Sequence, residues 1–198
     1  MLVFWKERLV VLAVPKTGTT ALEAALAPRA ALVVRDPPGL KHSGIQRFRR
    51  FVLPFLETGG GAAFETVAVL REPVDWLKSW YRYRHREGLA GHPNSTRGMS
   101  FDVFVTDYCR GRQPAHAKVG SPARFVRDGQ GEIAVDHLFR YESQARLVRF
   151  LEERLGASPV PERLNVSPSI EITLSPKVEA TLRRKRPEEF EVWEAALR

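Results

Sequence analysis

The sequence contains a single cysteine, Cys109, among its 198 residues. One cysteine excludes an intramolecular disulfide and a cysteine-rich zinc site, and the pattern is typical of a reducing compartment. Long apolar runs are also absent: the run at residues 9–14 is far shorter than the ~20 residues that span a bilayer. The first residues lack the basic, apolar and small-residue regions of a signal peptide. We therefore expect a cytoplasmic protein with no membrane span.

Metal-ligating patterns are likewise missing, since no His-x-x-x-His, clustered carboxylates or Cys/His set occurs. We expect no metal. Charge is not scarce, however: 31 basic residues against 23 acidic ones give a net charge of +8. Such an excess indicates an anionic partner, which could be nucleic acid, an acidic membrane surface or a ligand carrying phosphate or sulfate. The charge alone does not choose among these three.

Apolar runs and turn residues alternate along the chain in the manner of an α/β protein. Strands are predicted at residues 9–14, 31–35, 66–70 and 134–141. Helices are predicted at residues 21–27, 44–56, 73–86, 101–109, 143–155 and near 177–197, and a loop at 88–98. This order predicts a central, mostly parallel sheet with helices on both faces. We expect one domain over residues 1–198, with a core of about 8–168 and a C-terminal helical extension of about 169–198.

The most informative stretch lies between the first predicted strand and helix. It consists of Pro15, Lys16, Thr17, Gly18, Thr19 and Thr20. At such a junction the backbone N–H groups and the helix dipole favour an anion, and Gly18 lets the backbone approach a ligand oxygen closely. The phosphate loop of nucleotide hydrolases has its lysine after the glycine, whereas Lys16 precedes Gly18. The stretch predicts a cradle for a phosphate-like group.

A second motif follows the third predicted strand. Arg71 ends that strand, Pro73 begins the next helix, and Ser79 lies nearly two helical turns further on. Ligands of parallel sheets bind at the carboxyl ends of the strands. Arg71 can grip a phosphate bidentately there, while the Ser79 hydroxyl adds a donor.

Taken in order, the two motifs resemble those of sulfotransferases that use 3′-phosphoadenosine 5′-phosphosulfate (PAPS). The resemblance implies a three-layer fold like that of P-loop NTPases and transfer of a sulfuryl group from PAPS to an acceptor hydroxyl or amine. Residues 15–20 would hold the 5′-phosphosulfate, and Arg71 with Ser79 the 3′-phosphate; no metal is implied. Less specific similarity to bacterial and Golgi-type members continues through residues 138–142, 143–156 and 164–167. Arg124 and Arg127 are weaker candidates for the adenine or 3′-phosphate side.

For catalysis, the resemblance puts Lys16 beside the bond that breaks, where its charge would stabilise the leaving oxygens. A general base is most often histidine. His42 is favoured because it follows the second predicted strand at the ligand edge of the sheet. The alternatives are the other histidines and two glutamates, namely His85, His92, His116, His137, Glu57 and Glu65.

Two other functions stay open at this point. One is a nucleotide-dependent kinase on a related fold, and the other is a non-catalytic basic module that binds nucleic acid or an acidic glycan. The interleaved aromatic and basic residues at 80–86 favour the second. Under the sulfotransferase hypothesis the partner is a small-molecule or glycan acceptor and not nucleic acid. The sequence identifies neither that acceptor nor an oligomeric state.

Overall fold

The computed structural model describes residues 1–156 and 172–197, and a five-stranded mixed sheet lies at its centre. The strands are β1 (Leu2–Phe4), β2 (Leu9–Val11), β3 (Leu32–Val33), β4 (Glu65–Leu70) and β5 (His137–Arg140). Their order across the sheet is β3-β1-β2-β4-β5. β1 is antiparallel to both of its neighbours, whereas β2, β4 and β5 form parallel pairs. The predicted α/β class with a mostly parallel sheet is confirmed.

Helices connect and cover these strands, and several of them begin at a proline. They are α1 (Thr19–Leu26), α2 (Pro38–Lys41), α3 (Ile45–Arg47), α4 (Leu53–Glu57), α5 (Pro73–His85), α6 (Phe101–Tyr108), α7 (Pro122–Val126), α8 (Gln144–Leu155), α9 (Pro176–Lys185) and α10 (Pro187–Ala195). A π-helical turn, Phe48–Val52, joins α3 to α4, so the helix predicted over 44–56 is not a regular α-helix. Among the described residues, no helix is both long and apolar enough to cross a membrane.

Successive strand residues point to opposite faces of the sheet, and each face is covered by helices. Val10 and Ala68 belong to an apolar cluster with residues of α3, α4, α7 and α10. Val11 and Val67 belong to a second cluster with residues of α1 and α8. The helices therefore form layers on both sides of the sheet, because its central strands are apolar on both faces.

β1 was not predicted. It forms a hairpin with β2 through a turn in which Arg8 has a positive φ of 51°. The turn contains no glycine, asparagine or proline, which are the residues that usually mark a hairpin in a sequence. β1 separates β3 from β2, so the second predicted strand pairs with β1 and not with β2.

The chain end is helical, as predicted near 177–197. It forms two helices, α9 and α10, because Arg186 leaves the helical conformation and Pro187 starts a new helix. Beyond α10, the Leu197 N–H donates to the Leu138 carbonyl (2.8 Å) at the edge of the sheet. Val192 of α10 is fully buried in the core. Residues 172–197 of the predicted extension thus belong to the folded core, while residues 164–167, which contribute to the resemblance, lie outside the described residues.

An ion cluster stabilises the amino end of the parallel strands. The Glu65 carboxylate accepts from Arg154 Nη1 (2.8 Å) and lies 2.5 Å from His137 Nε2. Hydrogen bonding from Arg154, and then from His137, lowers the pKa of Glu65 to about 2. Because the pKa is lowered on folding, the charged carboxylate stabilises the fold above pH 4.5, its ordinary value, and that stabilisation is lost as the pH falls toward 2.

Replacing Glu65 by glutamine is therefore expected to lower the free energy of unfolding near neutral pH. The side chain is 45% exposed, so we expect a loss of only ~1 kcal/mol. Urea unfolding of the variant and the parent should show this difference at neutral pH and almost none near pH 2. Glu57→Gln, at an exposed position, is the control. An equal loss at both pH values would contradict the ionic origin of the stabilisation.

Candidate functional site

The two sequence motifs meet at the carboxyl ends of two neighbouring strands of the sheet, β2 and β4. After β2 the chain turns to α1 and β3 on one side, and it returns to β4 on the other side of β2. In open α/β sheets, ligands bind in the crevice outside the carboxyl ends of strands at such a reversal. The loop at residues 12–18 leaves the end of β2, and Arg71 follows the last residue of β4. The candidate site is the crevice between them.

The loop after β2 is held in shape from within. The Thr17 side chain is buried, and its hydroxyl donates to the Val14 carbonyl (2.9 Å). The Pro15 carbonyl accepts from Trp76 Nε1 of α5 (2.9 Å). Lys16 adopts a left-handed conformation with a φ of 69°, which is uncommon for a residue with a side chain. Thr17 and Pro15 therefore fix the loop, and the donors left for a ligand are backbone N–H groups and the hydroxyls of Thr19 and Thr20.

Gly18 caps α1, and two features favour glycine at this position. Its φ is +75°, and a Cβ placed there would lie 3.2 Å from Cε2 of Tyr141. No side chain caps α1 at this position, so no side chain occupies the N–H groups of Thr19 and Thr20 at its start. This uncapped turn, with no side chain between backbone and crevice, is the arrangement that accepts an anion.

Arg71 is oriented by three contacts. Its Nε donates to Asp75 (2.6 Å), and Nη1 donates to the Lys16 carbonyl (3.4 Å). Its guanidinium also lies 4.7 Å from the ring centroid of Tyr141. The motifs predicted separately from the sequence are thus in direct contact. Asp75 and Tyr141 were not among the predicted residues, although the four-residue spacing of Arg71 and Asp75 on a helix start favours such a pair.

The Lys16 side chain lies on an aromatic surface of α5. Its Nζ is 3.4 Å from the ring centroid of Tyr83 and 4.9 Å from that of Trp80. Burial, followed by the charges of neighbouring arginines including Arg86 and Arg71, lowers the pKa of Lys16 to about 7. Both the neutral and the charged amine are therefore populated near neutral pH, and a bound anion would favour the charged form. No sequence pattern predicted this contact, because more than sixty residues separate the loop from Tyr83.

His42 is attached to the same loop. Its Nδ1 lies 2.7 Å from the Ala13 carbonyl. Because a carbonyl can only accept, Nδ1 carries the proton and Nε2 keeps its lone pair. Burial lowers the pKa of His42, and the nearby Lys41 and Lys16 act in the same direction, so a neutral imidazole is favoured. Such an imidazole can accept a proton from a reacting group.

An ion-pair cluster fixes the turn that carries His42. Glu23 of α1 is paired with Lys41 (2.8 Å) and with Arg35 (2.5 Å). The hydrogen bonds from these two cations lower the pKa of Glu23, although its burial opposes them. The Glu23–Lys41 ion pair therefore connects α1 to α2.

The alternative bases are engaged elsewhere or lie away from the crevice. His137 and Glu65 belong to the ion cluster at the amino end of the parallel strands, away from their carboxyl ends. His116 is bonded to the buried Asp107 (2.7 Å). His92 is exposed and accepts from the N–H of Asn94. Glu57 is exposed at the end of α4. His85 is the exception, because it stacks on Tyr81 while its buried Nδ1 has no hydrogen-bond partner within the described part of the chain.

For the other residues predicted to contact the ligand, no observed interaction adds to the prediction from their sequence positions. Ser79 is half-buried on α5, and Arg124 is exposed on α7, where its N–H is capped by Ser121. The hydrogen bonds and ion pairs of residues 1–156 and 172–197 connect neither of these two side chains to Lys16 or Arg71. Arg127 pairs with Glu191 on α10 (2.9 Å).

The aromatic and basic run at 80–86 is not a continuous exposed surface. Arg84 is buried and donates to the carbonyls of Ala115 and Lys118 (2.7 and 2.9 Å). Tyr81 is also buried and donates to the Met99 carbonyl (2.6 Å). These contacts remove Tyr81 and Arg84 from the surface on which a nucleic acid would stack.

No family model matches the sequence, and a search of curated proteins finds no significant match. Within residues 1–156 and 172–197, no group of three or more His, Cys, Asp and Glu side chains is placed to hold a metal ion.

Proposed function

We propose that this protein is a sulfotransferase, which moves a sulfuryl group from PAPS to an acceptor hydroxyl or amine. The observation that carries the proposal is the contact between the two motifs, in which Arg71 donates to the Lys16 carbonyl at the carboxyl edge of the sheet. PAPS has two anionic ends joined by one nucleoside. Two anion-binding groups that follow adjacent strands suit a ligand of that kind. The finer fold, a three-layer P-loop-like sulfotransferase, is part of the same proposal.

The residues of the loop fit the 5′-phosphosulfate. Gly18 leaves open the space that a Cβ would fill, and the uncapped first turn of α1 supplies N–H donors. Thr19 and Thr20 add hydroxyls at the same turn. PAPS would supply the activated sulfuryl group. No metal is required of the residues in this role, since a sulfuryl group carries less charge than a terminal phosphoryl group.

Lys16 and His42 divide the chemistry between them. The Lys16 ammonium would neutralise the oxygen that leaves sulfur, and electrostatic stabilisation of this kind is a major contributor to catalysis. His42 Nε2 would take the proton from the acceptor hydroxyl or amine as its bond to sulfur forms. The acceptor therefore gives its proton to His42 and gains the sulfuryl group, and adenosine 3′,5′-bisphosphate leaves.

Arg71 would hold the 3′-phosphate. Its Nε and Nη1 are already hydrogen-bonded, so its plane is fixed before the ligand arrives, and Tyr141 supports one face. A guanidinium held in this way loses little conformational entropy on binding. Ser79 and Arg124 are proposed to assist at the 3′-phosphate and the adenine side.

A thermal-shift titration tests the proposal against its two rivals. Adenosine 3′,5′-bisphosphate at about one hundred times its dissociation constant should stabilise the protein by ~2.7 kcal/mol, which corresponds to a rise of roughly 5–10 °C in Tm. ATP with magnesium should give a much smaller rise. A larger effect of magnesium ATP would favour a kinase. DNA binding that falls steeply with salt, without any response to the bisphosphate, would favour the basic module.

A further inference from the structure

A segment outside both motifs has an unusual charge distribution. Residues 37–56 contain four basic side chains and no acidic one. The basic residues are Lys41, Arg47, Arg49 and Arg50. The same segment contains three phenylalanines, Phe48, Phe51 and Phe55, at spacings of three and four that are typical of a helix face in a core.

The structure buries only part of this apolar face. Phe48 and Leu56 are buried in the core cluster beneath the sheet. Phe51 and Phe55 are instead 63% and 68% exposed. The π-helical turn Phe48–Val52 contains both the buried Phe48 and the exposed Phe51, and it changes the phase of the helix before Phe55. Two large aromatic side chains therefore project into solvent from one side of α3–α4.

Other residues extend this surface. Leu40 on α2 is 52% exposed, and its neighbour Gly39 accepts a hydrogen bond from Arg47 Nη1 (2.9 Å). The Arg50 guanidinium lies 5.1 Å from the Phe51 ring centroid. We call the surface formed by Leu40, Arg47, Arg50, Phe51 and Phe55 the Phe51 face.

We propose that the Phe51 face binds the surface of an anionic lipid bilayer. Exposed phenylalanine and leucine side chains enter the boundary between headgroups and acyl chains, while flanking arginines attract the lipid phosphates. An anionic bilayer offers an apolar boundary for the phenylalanines and phosphates for the arginines in the same surface.

Self-association through this face is the main alternative, and its charges disfavour it. In a twofold dimer the same surface meets itself, which would place Arg47 and Arg50 of one copy near those of the other, and Glu57 at the end of α4 is the one acidic residue of α3–α4 to offset them. An anionic partner is complementary to the face, whereas a second copy is not. The inference does not depend on the proposed function, because it uses none of the residues assigned to the crevice.

Sedimentation with lipid vesicles tests the inference on the full chain. The protein should bind vesicles of equal parts phosphatidylglycerol and phosphatidylcholine, and bind pure phosphatidylcholine weakly. Phe51→Ser combined with Phe55→Ser should lower the partition coefficient by about tenfold or more, since both apolar insertions are removed. The single change Phe55→Ser, which alters one exposed side chain, should give an intermediate loss. Raising the salt concentration should weaken binding to the mixed vesicles.

Matched variants distinguish lipid binding by the Phe51 face from nonspecific binding through other exposed apolar or basic residues. Val103→Ser removes an exposed apolar residue of α6 and should leave binding unchanged. Arg47→Gln with Arg50→Gln should remove the preference for phosphatidylglycerol, whereas Arg183→Gln with Arg184→Gln on α9 should retain it. Equal binding by the parent and the serine variants, no binding by the parent, or a dimer in light scattering that the serine variants dissolve would each overturn the inference.

Discussion

Replacing Lys16 by alanine is expected to lower the rate of sulfuryl transfer by about 10³-fold, with the fold retained. The Lys16 amine is the one cationic group on the loop itself. Its Nζ lies over the rings of Tyr83 and Trp80, and no hydrogen bond within the described residues is lost with the side chain. Release of adenosine 3′,5′-bisphosphate from PAPS, with water as the acceptor, measures the effect without knowledge of the natural acceptor.

Two variants control this prediction. Lys118→Ala removes an exposed lysine elsewhere and should leave the rate unchanged. Lys16→Arg keeps a permanent charge, so it should retain more activity than alanine. An alanine variant as active as the parent would remove Lys16 from the mechanism.

The parent and Lys16→Arg should differ in the pH dependence of ligand binding. Because the pKa of Lys16 is about 7, the charged amine is populated below that pH and must be regained on ligand binding above it. The affinity of the parent for adenosine 3′,5′-bisphosphate should fall as the pH rises above 7, by up to ~10-fold per pH unit. Lys16→Arg should show a flat profile over the same range, and a parallel decline in both proteins would contradict this origin of the pH effect.

Replacing Arg71 by alanine should weaken binding of adenosine 3′,5′-bisphosphate by roughly 30–100-fold. The change removes charge-assisted hydrogen bonds that are worth ~2–3 kcal/mol. Titration calorimetry measures the affinity directly, and Arg112→Ala, at an exposed position, is the control. An unchanged affinity in the Arg71 variant would show that the 3′-phosphate binds elsewhere.

Much of the central fold could be predicted from the sequence because its strands are buried on both faces. The strand over 66–70 and the helix over 73–86 match β4 and α5 within one residue at each end. A β-branched apolar run followed by a proline at the first helical position gives unambiguous boundaries. Strands at the edge were harder, since β3 contains only two residues and β1 lies in a hairpin without a turn residue.

The chain end shows a different limit. The sequence near 177–197 predicted a charged helical end, without a division into two helices at Pro187. What places α10 in the core is a set of distant contacts. Arg140 Nε donates to the Trp193 carbonyl (2.9 Å), and Glu189 accepts from Tyr108 (3.0 Å) and from the Ala123 N–H (2.9 Å). Partners more than fifty residues apart leave no periodic pattern in a sequence.

The two motifs of the candidate site could be predicted from the sequence, but the contacts that join them could not. Lys16, Gly18 and Arg71 occupy the ends of adjacent strands as the sequence indicated. The aromatic surface under Lys16 and the Tyr141 ring between Gly18 and Arg71 required the structure, because they come from separate elements. These contacts also explain why the loop is fixed before any ligand binds.

The most direct test of the two-anchor site compares two ligands on two proteins. Adenosine 5′-monophosphate lacks the 3′-phosphate of adenosine 3′,5′-bisphosphate and is otherwise the same molecule. The parent should bind the bisphosphate roughly 30–100-fold more tightly than the monophosphate, and Arg71→Ala should bind both with nearly equal affinity. If the Arg71 variant discriminates between the two ligands as strongly as the parent does, Arg71 does not hold the 3′-phosphate and the assignment of the crevice is wrong.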